Sequence, residues 1–224
     1  MNSKVKHLGL IPDGGRRWAT ENNKSLYESY TISMNKLADI IDASFEVGVE
    51  IVSLYCLGKE NLNRQGFELD AIYSTGLNLV TKDLPRICDH WECQVRIVGL
   101  IDLLPPNYKE ALLNLEAHTQ AFENEKGKKL YLLTVYDPWE EIRSAILASN
   151  SPGNFQDYLW VKEKVDLVIR SGKGIAKLIS DFLPLQSGYA EYIFIEKYFN
   201  DVQVSDVLGV IDNFPLSGKQ LMGK

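Results

Sequence analysis

The sequence predicts one α/β domain over residues 1–224, built on a mainly parallel six-stranded sheet with helices on both faces. Three observations carry this. Short apolar runs alternate with segments of helical period along the whole chain. The runs are nearly continuous in Val, Ile and Leu, as strands buried on both faces are. Glycine-rich or polar segments follow the first, second and fifth runs, where open α/β sheets place their ligands.

Each element has its own reason. A first strand covers residues 8–11 and stops at Pro12; Asp13, Gly14 and Gly15 follow, and Arg16 and Arg17 enter a helix. Residues 26–48 form the next helix, with Leu37, Ile40, Ile41, Ala43 and Phe45 on one stripe and Gly48 as the stop. A second strand at 49–57 runs into the polar segment 58–64, and a long helix spans about 67–89. The third strand, 94–100, precedes the Pro105-Pro106 break and a helix over 108–123. A fourth strand lies at 130–136, a helix at 139–148 and a loop at 151–154. The fifth strand, 165–169, ends in R-S-G-K-G from Arg170; a sixth at 192–195 and a helix at 204–211 complete the pattern. No repeat or low-complexity linker interrupts it.

Composition excludes several classes. At 45% hydrophobic and 24% charged, 224 residues suit a globular chain with a sizeable core. The formal net charge of −6 and the lack of a Lys/Arg run argue against a nucleic-acid partner. Three irregularly spaced cysteines suit a reducing, cytoplasmic setting rather than a disulfide framework. No signal peptide is visible, and no apolar stretch is long enough to span a bilayer. Cys88, His90 and Cys93 match no standard zinc spacing and lack a fourth ligand. Trp18, Trp91, Trp139 and Trp160 read as core or pocket walls.

The stretch H-L-G-L-I-P-D-G-G-R-R-W-A at 7–19 is the organising one. A strand, a glycine turn and a helix start make an anion site, because backbone N–H groups approach a phosphate closely there. Arg16 and Arg17 add forked, charged donors. Asp13 has the wrong sign for a phosphate but suits a hard cation such as Mg2+ between carboxylate and phosphate. The alternative is an ordinary βα turn capped by Asp13. The segment from Arg170 to Lys177 is a second candidate phosphate loop, or a solvated basic loop. Glu191, just before the last strand, would share a cation with Asp13 if it reached it, and is otherwise a surface glutamate. The segment from Glu60 to Arg64 supplies amide and guanidinium donors, or is a polar turn.

Taken together these motifs resemble the cis-prenyltransferases, the undecaprenyl diphosphate synthase family. Residues 7–19 resemble H-x-x-x-x-x-D-G-N-x-R-W-A. Residues 54–64, with Glu68, resemble L-Y-A-F-S-x-E-N-W-x-R and its following glutamate. Residues 165–172 resemble D-L-x-I-R-T-G, and 180–191 resemble S-x-F-L-x-W-Q-x-x-Y-x-E. Order and spacing hold over nearly the whole chain. The resemblance implies a hydrophobic tunnel and a homodimer. It places Mg2+ and an allylic diphosphate at Asp13, with Gly14, Gly15, Arg16 and Arg17 cradling that diphosphate. It gives Asn61 and Arg64 a role in positioning the reacting groups, and Arg170 and Ser180 the second substrate's diphosphate. Glu191 would complete the metal site, from the same chain or across a dimer interface. The implied reaction breaks the carbon–oxygen bond to diphosphate, leaving an allylic cation that the second substrate's alkene attacks before a proton is lost. Tyr30, Ser53, Tyr136 and Asp137 are candidate bases.

The departures from the pattern are specific. The expected asparagine is Gly15, a basic residue is Leu26, a histidine is Tyr30, a serine is Gly58 and a tryptophan is Leu62. Between Arg170 and Ser180 the chain is two residues longer, and the second arginine falls on Leu178 beside Lys177. The R-x-R-R-F-G-like tail is absent, with Lys219 its one cation in place. These losses fall on the isopentenyl diphosphate site, whereas the first site keeps its aspartate and arginines. The expectation is therefore an irregular synthase coupling two dimethylallyl diphosphates to a lavandulyl-type product. The rivals are a regular short-chain enzyme using isopentenyl diphosphate, with dimethylallyl or geranyl diphosphate as donor and Lys173, Lys177 and Lys219 replacing the arginines, and a non-catalytic partner subunit.

Overall fold

The computed structural model describes residues 5–123, 127–149, 152–174 and 177–214. Its six strands are β1 (His7–Ile11), β2 (Ile51–Gly58), β3 (Gln94–Val98), β4 (Lys129–Tyr136), β5 (Leu167–Ser171) and β6 (Glu191–Ile195). They lie in the order β3-β4-β2-β1-β5-β6, each pair parallel. Helices α1 (Gly15–Glu21), α2 (Leu26–Glu46), α3 (Gly66–Asn78), α4 (Leu84–Trp91), α5 (Pro106–Thr119), α6 (Pro138–Ala148) and α7 (Val204–Asp212) make or flank the crossovers.

Strand β1 sits between β2 and β5, so the chain winds away from it in both directions. That makes the carboxyl end of β1 the switch point at which a crevice opens. Alternate residues serve two cores. Leu8 and Leu10 join the larger cluster with Leu54, Leu132 and Phe45. Ile11 joins the smaller one with Leu133, Val168 and Phe182. The Phe182 ring lies so close to β1 that a Cβ on Gly9 would fall 2.6 Å from it.

Local signals place the helix starts. Ser25 and Glu28 form a reciprocal capping box at α2, with Glu28 N donating to Ser25 Oγ at 3.1 Å and Ser25 N to Glu28 Oε2 at 2.9 Å. Asp137 caps α6 by accepting from Trp139 N at 2.9 Å.

Most ends fall within a few residues of the sequence reading, and some differ in ways that matter. The helix expected over 67–89 is divided by a π-helical turn at Leu79–Asp83, which shifts register without interrupting the apolar stripe. Of the loop expected at 151–154, Ser151 lies outside the described residues and 152–154 belong to a 3-10 segment, Pro152–Tyr158. Strand β5 runs two residues further than expected, because Ile11 pairs with Arg170 and the ladder needs backbone rather than apolar side chains. Glu191 opens β6 instead of preceding it.

A polar pair is buried at the other end of the sheet. His7 and Ser53 are both inaccessible, with Nε2 2.8 Å from Ser53 Oγ and Nδ1 3.1 Å from the Lys164 carbonyl. Burial pushes the imidazole down to about 4. The unfolded chain therefore takes up a proton near pH 6.5 that the folded chain refuses until about 4. Stability falls as pH drops through that window, by roughly 3 kcal/mol from this group at ~1.4 kcal/mol per unit. Urea unfolding of His7→Gln between pH 7 and 4.5 should show a shallower decline than the parent; equal slopes would refute the assignment.

Candidate active site

The turn after β1 is held on every side. Asp13 N donates to Ser171 Oγ at 2.9 Å, and the Asp13 carbonyl accepts from Phe199 N at 3.0 Å. Gly14 adopts φ +108°, and a Cβ there would lie 2.6 Å from the Tyr198 ring. Only a glycine meets both demands. Helix α1 then starts at Gly15, so its free N–H groups face the crevice.

The Asp13 carboxylate stands between two guanidinium groups. Arg170 Nη2 donates to Oδ2 at 2.7 Å and Arg17 Nη2 to Oδ1 at 3.4 Å. Arg170 is buried, and its Nη1 also donates to Ser180 Oγ at 2.7 Å and to the Leu178 carbonyl at 2.6 Å. Its buried Nε has no acceptor among the described residues. Arg17 donates to the Lys173 carbonyl at 3.0 Å and lies 5.5 Å from the Tyr198 ring centroid. Arg16 lies 3.6 Å from Glu68. Asn61 accepts from Gly58 N at 3.0 Å and so shapes the turn after β2.

Two cavities meet at this point. One, of about 970 Å³, runs from Asp13, Asn61, Arg64, Arg170 and Ser180 at the mouth to an apolar interior. Leu54 and Leu132 of the sheet line that interior opposite Leu37, Ile72, Val80 and Leu84. The other is an open groove of about 830 Å³ along the start of α1, lined by Gly14, Gly15, Arg16, Arg17 and Glu68. A charged head and an apolar chain thus have separate, adjoining compartments.

Several expected residues lie elsewhere. Glu191 pairs in register with Leu167, whereas Asp13 lies beyond Ile11, the partner of Arg170. At ~3.3 Å per residue the two carboxylates are separated by more than 10 Å along the sheet, so one chain does not bring them together. Lys177 is exposed and is not among the residues lining either cavity. Lys173 pairs with Glu21 at 3.3 Å and lies 5.2 Å from the Tyr198 ring centroid. Lys219 lies outside the described residues. Of the candidate bases, Ser53 is buried against His7, and Tyr136 donates its hydroxyl to the buried Glu141 at 2.5 Å. Asp137 caps α6 and pairs with Lys59 at 2.7 Å, yet it and Tyr136 both line the larger cavity, so of the four only Ser53 lies away from it. Tyr30 lines both cavities. Cys88 and Cys93 are core residues, and Trp139 is exposed at the cavity mouth.

A family model described as "Putative undecaprenyl diphosphate synthase" matches residues 11–221. The chain belongs to that family. This makes it a cis-prenyltransferase, a prenyl diphosphate synthase. It is 32% identical to a tritrans,polycis-undecaprenyl-diphosphate synthase (GGDP specific) of Sulfolobus acidocaldarius, over 93% of this chain and 84% of that protein. It is 28% identical to an isoprenyl transferase of Rickettsia typhi, over 98% of each chain. The crystal structure of lavandulyl diphosphate synthase from Lavandula x intermedia, in complex with dimethylallyl diphosphate, shares the fold at a TM-score of 0.84. That match has 23% identity and covers 94% of each chain.

Members of the family are generally Mg2+-dependent, and the donor set of this cis-prenyltransferase fits that ion. Asp13 offers a one-third exposed carboxylate at the mouth. Among the described residues no cluster of three or more His, Cys, Asp or Glu side chains could hold a metal. Mg2+ commonly takes one or two carboxylates, waters and substrate phosphates rather than a full protein cage. Among the described residues no helix is long and apolar enough to cross a membrane.

Sequence reasoning missed Tyr198 and Ser171, which hold the glycine turn from across the fold. Ser171 sits beside an arginine already singled out, but nothing local marks Tyr198. Gly14→Ala should cost about 1–3 kcal/mol in denaturant unfolding, since it combines a positive φ with a ring contact. Gly66→Ala, at the first residue of α3 with open space around it, should be neutral or slightly stabilising. Equal effects would refute this account.

Proposed function

We propose that the enzyme ionises an allylic diphosphate at Asp13 and couples it irregularly to a second dimethylallyl diphosphate, giving a lavandulyl-type product. The observation that carries this reading is the state of the acceptor side. Arg170 already bonds Asp13, Ser180 and the Leu178 carbonyl. Leu178 stands apolar and exposed where the family pattern has an arginine, and Lys173 is turned to Glu21. An acceptor diphosphate meets few free cations there, which disfavours the usual acceptor.

In this reading Arg16, Arg17 and the free N–H groups of α1 hold the donor diphosphate in the groove. The prenyl chain lies in the apolar cavity, where water is excluded from the allylic cation. Asp13 would hold Mg2+ against the diphosphate, and the ion would neutralise negative charge on the leaving group. Arg64 and Asn61 frame the mouth with Arg170 and Ser180. No side-chain nucleophile is called for.

Edge strand β6 leaves Glu191 exposed, with Ile179, Leu185 and Tyr189 also uncovered in the segment before it. On that face we place a second copy, and only from the partner would Glu191 enter a metal site. Regular synthesis with isopentenyl diphosphate is the second reading. It is favoured by the cavity's size, at the upper end of the ~300–1,000 Å³ range of small-molecule sites, and by the Sulfolobus acidocaldarius relative, an undecaprenyl-diphosphate synthase by its name.

Incubation with Mg2+ and dimethylallyl diphosphate alone, with products identified by mass spectrometry, separates these readings. A branched C10 diphosphate is expected. Product appearing only on addition of isopentenyl diphosphate would establish the regular reaction. Absence of turnover together with absence of Mg2+-dependent diphosphate binding would point to a partner subunit. Asp13→Ala should lower kcat/KM by at least about 100-fold, the scale of losing one charge-stabilising group at a reacting centre.

A further inference from the structure

Six residues line both the apolar cavity and the charged groove: Pro12, Asp13, Gly15, Arg16, Tyr30 and Arg64. They form the neck between the two compartments. A prenyl diphosphate with its head in the groove and its chain in the cavity has its carbon–oxygen junction at this neck. Of the six, Tyr30 brings by far the largest apolar surface, and it also carries a hydroxyl.

The ring's place is built rather than incidental. Ser29 Oγ donates to the Gly15 carbonyl at 2.8 Å, tying the first turns of α2 onto the start of α1. Asn200 Nδ2 in turn donates to the Ser29 carbonyl at 2.8 Å and to its Oγ at 3.1 Å. This seats Tyr30 over Gly15 so closely that a Cβ at position 15 would lie 3.2 Å from Tyr30 Cε1 and 3.4 Å from Ser29 Oγ. A Cβ at 15 would require the ring to give by a few tenths of an ångström. The two departures from the family pattern, asparagine to Gly15 and histidine to Tyr30, thus fall on residues in direct contact. Arg16 and Arg64 lie near the phenol, as do Asp13 and Glu68; burial raises its pKa, so the hydroxyl stays a neutral donor.

We propose that Tyr30 is a specificity-determining residue of the donor site. Its ring walls the junction of diphosphate and first isoprene unit, and bare Gly15 is the seat that allows it. This rests on the neck being the donor site, as in the proposed function. The ring, not the hydroxyl, sets which allylic chain length fits.

The test uses the full chain with Mg2+ and allylic thiolodiphosphates of five, ten and fifteen carbons, which bind without ionising readily. Their Kd values are measured for the parent, Tyr30→Phe, Tyr30→Leu, Gly15→Ala and the Gly15→Ala/Tyr30→Leu double variant, with thermal midpoints as the check on folding. Tyr30→Phe should keep the parent ranking of chain lengths within about threefold. Tyr30→Leu should change the C5-to-C10 preference by about tenfold, the order of a reshaped hydrophobic contact. Gly15→Ala should weaken binding about fivefold in the parent and less than about twofold in the Tyr30→Leu background, since the clash partner is gone. An unchanged ranking in Tyr30→Leu, or equal Gly15→Ala effects in both backgrounds, overturns the proposal. Chain-length ranking is read from binding alone, so loss of turnover would count against the proposed reaction and not against Tyr30. A parent that binds none of the three thiolodiphosphates overturns both.

Discussion

The contact between Asp13 and Arg170 is the constraint on which the site depends. These residues are 157 positions apart, and the parallel pairing of β1 with β5 brings them to 2.7 Å. The arginine is buried, with its side chain 9% exposed. A buried guanidinium without its carboxylate is strongly unfavourable, so neither residue can be lost without disturbing the other's position. Ser171 extends the same logic to the backbone, because its hydroxyl lies within hydrogen-bond reach of both Asp13 N and the Asp13 carbonyl. The strand pairing thus does two jobs: it closes the centre of the sheet and assembles the charges at its carboxyl end.

Around that pair the molecule sorts polarity sharply. The turn after β1 and the start of α1 collect N–H groups and guanidinium groups in an open groove. A few ångströms away, β2 and β4 face α2, α3 and the π-helical turn across an apolar cavity. An amphiphile with an anionic head fits this division in one orientation only. The chemistry expected of the family also needs it, since an allylic cation survives only where water is excluded and the departing anion only where cations wait.

Much of the fold is legible along the chain because its signals are local. The apolar run of β1, the stripe from Leu37 to Phe45 and the Ser25–Glu28 box each report on their own backbone. The turn at Asp13-Gly14-Gly15 is legible for the same reason: no side chain adopts φ +108° at Gly14 easily. Boundaries governed by a partner strand are less so. Arg170 sits inside β5 because β1 offers backbone to pair with, and its own side chain says nothing of that.

The α/β alternation, the anion-binding turn, the family and the charged residues near the strand ends are all readable along the chain, since they depend on residue type and spacing. Tertiary structure alone decided which of those charges meet. It joined Asp13 to Arg170, turned Lys173 toward Glu21, left Glu191 at the far end of the sheet and set Tyr198 and Tyr30 against two glycines. Distances across a fold follow from strand order and register, and a linear pattern of residues does not contain them.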